Sequence, residues 1–301
     1  MPPTTSADAP FGRVLTAMVT PFDADGELDL PSAQQLANDL VDLGNDGLVV
    51  NGTTGEAPTT TDEERALLVR AVLEAVGDRA TVVAGVGTND TEHTLELARE
   101  AEGVGAHALL VVTPYYNKPP QAGLLQHFTA VADGVGLPLM TYDIPGRAGV
   151  PIQTETLLRL AEHPRIVANK DAKGDPFAAQ QVMHRSDLVY YSGDDALNLP
   201  LLAIGACGFV SVTGHVVADR LRAMLEAYLS GDVAAARKIN DGLVPVTEGI
   251  MTRTQGAIMV KAALDLLDRA GGGVLRLPLV EADEAQRDVL RADLRAGGFD
   301  L

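Results

Sequence analysis

The chain carries five lysines, Lys118, Lys170, Lys173, Lys238 and Lys261, and only Lys170 ends an apolar strand-like run, Ile166-Val167-Ala168-Asn169-Lys170. An amine desolvated at such a place loses basicity, and the free base it then offers can attack a carbonyl carbon. Asp171 follows at once, so a structural ion pair with Lys170 is the competing reading. Lys118 and Lys238 read as solvated charges. A second spot is Gly52-Thr53-Thr54-Gly55-Glu56. Glycines around two threonines make a tight turn that can present N–H groups and hydroxyls to an anion, although an ordinary strand-to-helix turn has the same look. Phenols are the third resource. Of six tyrosines, Tyr115, Tyr116 and Tyr142 fall in Thr113-Pro114-Tyr115-Tyr116-Asn117 and Tyr142-Asp143-Ile144-Pro145-Gly146-Arg147, where they serve either as proton carriers or as interface and core rings.

Other motifs carry less. Gly85-Val86-Gly87-Thr88-Asn89-Asp90 lacks the third glycine of a dinucleotide loop and reads as a turn. In Ser192-Gly193-Asp194-Asp195, helix capping by Ser192 or Asp194 is favoured over a metal site. The six histidines show neither i, i+4 pairing nor a cysteine partner, so no metal is expected. There is no Walker motif and no nucleophile elbow.

Chemistry at the ends of strands needs a scaffold that brings those ends together. Eight short, mostly apolar runs are predicted as strands: Val14–Val19, Gly47–Val50, Thr81–Gly85, Ala108–Val112, Leu139–Tyr142, Ile166–Lys170, Leu188–Ser192 and Gly208–Val212. Continuous apolar character is what strands covered on both faces show. Between them lie helical patterns such as Leu36/Leu40/Leu43, and Thr61 with Glu64 forms a capping box. Eight strand–helix units close into a (β/α)8 barrel, an α/β TIM barrel whose active site sits at the C-terminal strand ends. The expected division is a frayed tail over 1–11, the barrel over 12–230 and a C-terminal helical region over 231–301. Four helices end the chain: Asp219–Leu229, Asp232–Val246, Gly256–Asp268 and Glu284–Ala296.

Composition narrows the function classes. The 301 residues are 46% hydrophobic, enough for a large core, and the net charge is −18. So acidic a surface repels phosphate backbones and anionic lipid, which argues against nucleic-acid and membrane partners. One cysteine, Cys207, permits no internal disulfide, and with no signal-like start the expected location is the cytoplasm.

In register along the chain, Thr16–Phe22 (TAMVTPF), Gly52–Glu56 (GTTGE), Val112–Pro119 (VTPYYNKP), Tyr142–Gly149 (YDIPGRAG), Asn169–Gly174 (NKDAKG), Tyr191–Asp195 (YSGDD), Gly208–Thr213 (GFVSVT) and the late Leu275-Arg276-Leu277-Pro278 resemble the dihydrodipicolinate synthase branch of the N-acetylneuraminate lyase superfamily. The resemblance implies a barrel with C-terminal helices and a lyase of lysine and diaminopimelate biosynthesis. Its substrates would be pyruvate and L-aspartate 4-semialdehyde, with no cofactor. It implies that Lys170 forms the Schiff base, that Thr53, Tyr116 and Tyr142 relay protons and that Thr54 cradles the pyruvate carboxylate. Arg147 would receive the semialdehyde carboxylate, and Gly193 and Val210 would border the pyruvate. It further implies a homotetramer, a dimer of dimers, with Tyr116 acting across the tight interface.

The chain departs from the family pattern at Asn169, a polar residue where an apolar one is usual, and at Ala57. The positions matching the family's lysine-feedback pocket are Ala57, Pro58, Asp62, Arg65, Asn89 and His93. Most differ from the lysine-sensitive pattern, so weak or absent feedback is expected. Two alternatives stay in view: a pyruvate-dependent aldolase acting on a sugar acid, which Arg147 opposes, and a non-catalytic sensor of pyruvate-like acids.

Overall fold

The computed structural model describes residues 8–301. Eight parallel strands close into a barrel in chain order: β1 (Val14–Ala17), β2 (Gly47–Val50), β3 (Thr81–Gly85), β4 (Ala108–Val112), β5 (Leu139–Asp143), β6 (Ile166–Asp171), β7 (Val189–Ser192) and β8 (Gly208–Ser211), with β8 pairing back onto β1. A helix follows each strand, and the helical layer covers the outside. Alternation along each strand divides the core in two. Leu15, Ala17, Val49, Val83, Leu110, Met140, Ala168, Tyr191 and Val210 pack inside the barrel, while their neighbours pack outward against the helices.

This alternation settles where the residues of β6 point. Ala168 faces the interior, and Asn169 turns outward, where its Oδ1 accepts from the Thr141 hydroxyl at 2.8 Å. Lys170 therefore returns to the inside and Asp171 to the outside, which removes the ion pair between them. The Asp171 carboxylate instead accepts from the Lys173 N–H at 3.0 Å, and Lys173 pairs with Asp143 at 3.1 Å. Burial, partly offset by Lys173, pushes the Asp171 carboxyl up to about 6.

Most predicted strands keep their bounds within a residue. The first ends two residues early, at Ala17, because the chain leaves the ladder there and the Val19 N–H donates to His215 Nε2 at 3.1 Å. The eighth helix starts at Gly214 rather than Asp219. Its first five residues are all buried and so show no amphipathic period, and the helix bends at Val217. The capping box forms as read: Thr61 Oγ1 accepts from the Glu64 N–H at 3.2 Å, and Glu64 accepts from the Thr61 N–H at 2.8 Å.

Of the tail expected over 1–11, residues 1–7 lie outside the described residues, and the rest is not frayed. Ala9 and Phe11 are buried at the barrel floor. The Tyr191 hydroxyl donates to the Gly12 carbonyl at 2.9 Å and accepts from the Phe11 N–H at 3.2 Å. The Phe11 ring lies 6.1 Å from that of Tyr191 and packs with the interior side chains at this end of the barrel. At the other terminus, helices Val233–Thr247, Gly256–Leu266 and Glu284–Ala296 pack on one another and on the last barrel helix. Among the described residues no helix is long and apolar enough to cross a membrane.

Candidate active site

Lys170 ends the interior face of β6, between Tyr142 of β5 and Tyr191 of β7 in the strand register. It is 5% exposed, and its Nζ lies 4.1 Å from the centre of the Tyr142 ring. Lys173 and Lys261 each have a carboxylate partner; among the described residues Lys170 has none within ion-pair distance. Burial lowers its amine to about 8; the Asp195 charge pulls it up and Arg147 pushes it further down. About a tenth of the amine is then free base at pH 7, far more than for an ordinary lysine.

The surroundings fit this one side chain closely. A Cβ on Gly193 would lie 2.7 Å from Lys170 Cγ and 2.8 Å from its Cε, so only glycine leaves the lysine its space. The Gly193 N–H donates to the Asp171 carbonyl at 2.7 Å and holds the turn there. Val210, on β8, is 1% exposed and packs inside the barrel.

Tyr142 is buried, and burial raises its phenol to about 12, with Arg147 and a hydrogen bond from the Thr53 side chain moderating the rise and Asp194 adding to it. The phenol thus stays protonated at neutral pH and is ready to donate. Thr53 and Thr54 stand on the turn after β2, where the Glu56 N–H donates to the Thr53 carbonyl at 3.2 Å. Close packing fixes this turn: the Thr20 hydroxyl donates to the Gly55 carbonyl at 2.6 Å, and Glu56 adopts a left-handed φ of 54°. A side chain on Gly85 would strike the Asn51 carbonyl at 2.4 Å.

Thr53, Tyr142 and Arg147 border a cavity of about 250 Å³, together with Arg65, Tyr115 and Ala57. Arg147 lies on the short helical turn Pro145–Ala148, is exposed and spends no side-chain hydrogen bond on another described residue. Arg65, by contrast, is tied down: its guanidinium donates to the Ala57 carbonyl at 2.5 Å and the Thr60 hydroxyl at 3.3 Å. His93 hydrogen-bonds Asp62 at 2.9 Å. Both contacts occupy positions singled out for the feedback pocket.

Within this chain the structure brings together Lys170, Tyr142, Thr53, Arg147 and Gly193, with Thr54 on the Thr53 turn. Tyr116 is not among them. It is 89% exposed, with a left-handed φ of 75°, and its ring stands clear of the cavity. Asp194 caps the short turn after β7 by accepting from the Ala196 N–H at 3.0 Å, as capping predicts. Among the described residues no three His, Cys, Asp or Glu side chains cluster as metal ligands.

The model of the Dihydrodipicolinate synthetase family matches residues 10–297. This chain belongs to that family. It is 65% identical over 301 residues to 4-hydroxy-tetrahydrodipicolinate synthase 2 of Streptomyces coelicolor, covering 100% of both chains. It is 61% identical to the 4-hydroxy-tetrahydrodipicolinate synthase of Kineococcus radiotolerans, covering 99% of this chain and 98% of the relative. Among solved structures, the chloride-inhibited dihydrodipicolinate synthase of Acinetobacter baumannii complexed with pyruvate superposes with a TM-score of 0.90 at 35% identity, covering 95% of this chain and 98% of that one. The family's barrel and helical extension are thus those described above.

Two buried carboxylates near the site have partners that no local motif announces. Asp195, for which the sequence suggests no role beyond the Tyr191–Asp195 motif and an alternative metal ligand, is a buried carboxylate whose charge raises the basicity of the Lys170 amine. Glu56 was read as the end of a turn, yet its carboxylate accepts from Lys261 Nζ at 2.6 Å and from the Arg276 N–H at 3.0 Å, tying the turn to the C-terminal region. A charged residue inside the apolar run Ile258–Leu264 was the available signal for the second.

Proposed function

We propose that this chain is a 4-hydroxy-tetrahydrodipicolinate synthase: it condenses pyruvate with L-aspartate 4-semialdehyde through a Schiff base and closes the product into a ring. The observation that carries the reading is an unpaired, buried Lys170 with its amine lowered to about 8 at the mouth of a barrel, packed between the Tyr142 ring and Gly193. The name of the Streptomyces coelicolor relative and the pyruvate complex of the Acinetobacter baumannii neighbour support it.

The chemistry follows from the groups present. The free Lys170 amine attacks the keto carbon of pyruvate and water leaves, forming an imine. The protonated imine withdraws electrons, so a methyl proton departs and an enamine forms. Its carbon attacks the aldehyde carbon of the semialdehyde, and the resulting oxyanion takes a proton. The amino group of the joined product then adds to the imine carbon, Lys170 leaves as the free amine, and a six-membered cyclic imine results. Tyr142 donates and recovers protons, with Thr53 and Tyr116 carrying them to solvent. The Thr54 turn holds the pyruvate carboxylate, Arg147 holds that of the semialdehyde, and Gly193 and Val210 line the pyruvate. No cofactor has a step in this scheme.

The working assembly in this reading is a homotetramer built as a dimer of dimers, in which Tyr116 completes the partner subunit's relay. A phenol 89% exposed on a strained loop residue is well placed for burial against a second copy. The barrel and the C-terminal helices form one catalytic unit, joined through Glu56 and Lys261. The acidic charge and single buried cysteine suit the cytoplasm. Feedback by lysine is weak or absent, because the Arg65 guanidinium places a like charge in the pocket.

A specificity comparison tests the reading. Arg147→Ala should lower kcat/KM for the semialdehyde on the order of 10- to 150-fold, the worth of a charge-assisted carboxylate pair. Imine formation with pyruvate should survive. Turnover of a sugar acid but not of the semialdehyde by the unaltered chain would favour the aldolase alternative.

A further inference from the structure

Asp195 is a buried carboxylate that the scheme above leaves unused. It is 7% exposed and lies two residues beyond Gly193. Its Oδ1 accepts from the Ser211 hydroxyl at 2.5 Å and the Asn198 amide at 3.0 Å, and its Oδ2 from the N–H groups of Val212 at 2.8 Å and Thr213 at 2.9 Å. Four donors, two of them backbone, satisfy both carboxylate oxygens and fix the direction of the group. They come from two places, the end of β8 with the turn after it and the helical turn Asn198–Ala203. One side chain therefore ties the Gly193 turn to the end of β8.

That turn is the one packed against Lys170. Its rigidity decides whether the lysine keeps a single direction, because the Gly193 backbone leaves no slack beside Cγ and Cε. Three groups act on the amine from different elements: Tyr142 of β5 by its ring, Arg147 of the turn after β5 by repulsion, and Asp195 by attraction. Asp194 acts on the Tyr142 phenol instead. Asp195 is thus the anionic counterweight among the groups that act on the amine.

We propose that Asp195 is a positioning residue for Lys170: its hydrogen bonds to the end of β8 lock the Gly193 turn against the lysine, and its buried charge supports the amine and, after condensation, the cationic imine. The inference rests on Lys170 being the imine-forming group. It differs from a purely structural role in one respect, since removing the charge must change the basicity of the lysine as well as its geometry.

The test uses the full chain and pyruvate, with borohydride trapping of the Lys170 adduct followed as a function of pH. In Asp195→Asn the amine loses its counter-charge and becomes easier to deprotonate, so the acid limb of imine formation should move to lower pH by about one unit. Turnover should still fall, on the order of 10-fold, because the cationic imine is less well supported. Asn198→Leu removes one donor from the carboxylate and leaves its charge less compensated, so the limb should move the other way, by less. If both variants keep the limb of the unaltered chain while losing activity, Asp195 only holds the fold together and the proposal is overturned. Should Asp195→Asn fail to fold, an unmoved limb in Asn198→Leu overturns it alone. Failure of the unaltered chain to form an adduct on Lys170 removes the parent reading and this one with it. An adduct on Lys170 with unmoved limbs removes this one only.

Discussion

Lys170 and Lys261 are both buried, at 5% and 0% exposed, and burial lowers the basicity of both amines. Each also has an aromatic ring beneath it, Tyr142 at 4.1 Å and Phe22 at 4.5 Å. Their surroundings otherwise diverge. Lys261 donates to Glu56 Oε1 at 2.6 Å and to the Val274 carbonyl at 2.6 Å, so its charge is matched and two of its three hydrogens are spent. Lys170 has neither a paired carboxylate nor a carbonyl to donate to among the described residues. Burial alone therefore does not make a nucleophile. A desolvated amine becomes reactive where no carboxylate pairs with it directly, and it becomes a strut where one does.

Opposite substitution phenotypes follow. In Lys170→Met, pyruvate condensation should fall on the order of 10⁴-fold or more, as when a covalent nucleophile is removed, and thermal unfolding should stay where it was or rise. A stability loss as large as the activity loss would mean that Lys170 is a strut after all. In Lys261→Met the pattern reverses. Removing one partner of a buried pair leaves the Glu56 charge uncompensated, and denaturant unfolding should show a loss of about 3–5 kcal/mol. Adding Glu56→Gln should restore much of it, because the stranded charge is gone. If the double variant is no more stable than the single one, the pair is not what holds the Thr53–Thr54 turn.

A smaller effect concerns the phenol missing from the cavity. Tyr116→Phe removes only a hydroxyl and should cost on the order of 10²-fold in rate, as for a group that moves a proton. Mixing Tyr116→Phe subunits with Lys170→Met subunits sharpens this. If Tyr116 serves the partner's site, a mixed dimer has one doubly damaged site and one intact site, and activity returns on subunit exchange. If it serves its own chain, mixing restores nothing.

Much of this was legible before any coordinates. Fully covered strands announce themselves as apolar runs, so the barrel could be counted, and the strand-end position of Lys170 followed from it. Asn169 likewise could be assigned to the outer face by alternation alone. What escaped reading was set by partners distant in sequence. Glu56 and Lys261 are 205 residues apart, and neither motif hints at the other. Phe11 looked like part of a loose tail because nothing local shows that Tyr191 waits for it at the barrel floor. Asp195 sits in a run that suits a capping turn, and only the fold reveals that three of its four donors, on Ser211, Val212 and Thr213, come from the far side of the β7–β8 connection.

The central claim is that an unpaired buried amine, and not a paired one, does the chemistry. Borohydride reduction in the presence of pyruvate, followed by peptide mapping, tests it most directly. The expected result is a single pyruvyl adduct on the peptide containing Lys170, with Lys173 and Lys261 unmodified. An adduct on Lys261 or Lys173, or none on Lys170, would contradict it.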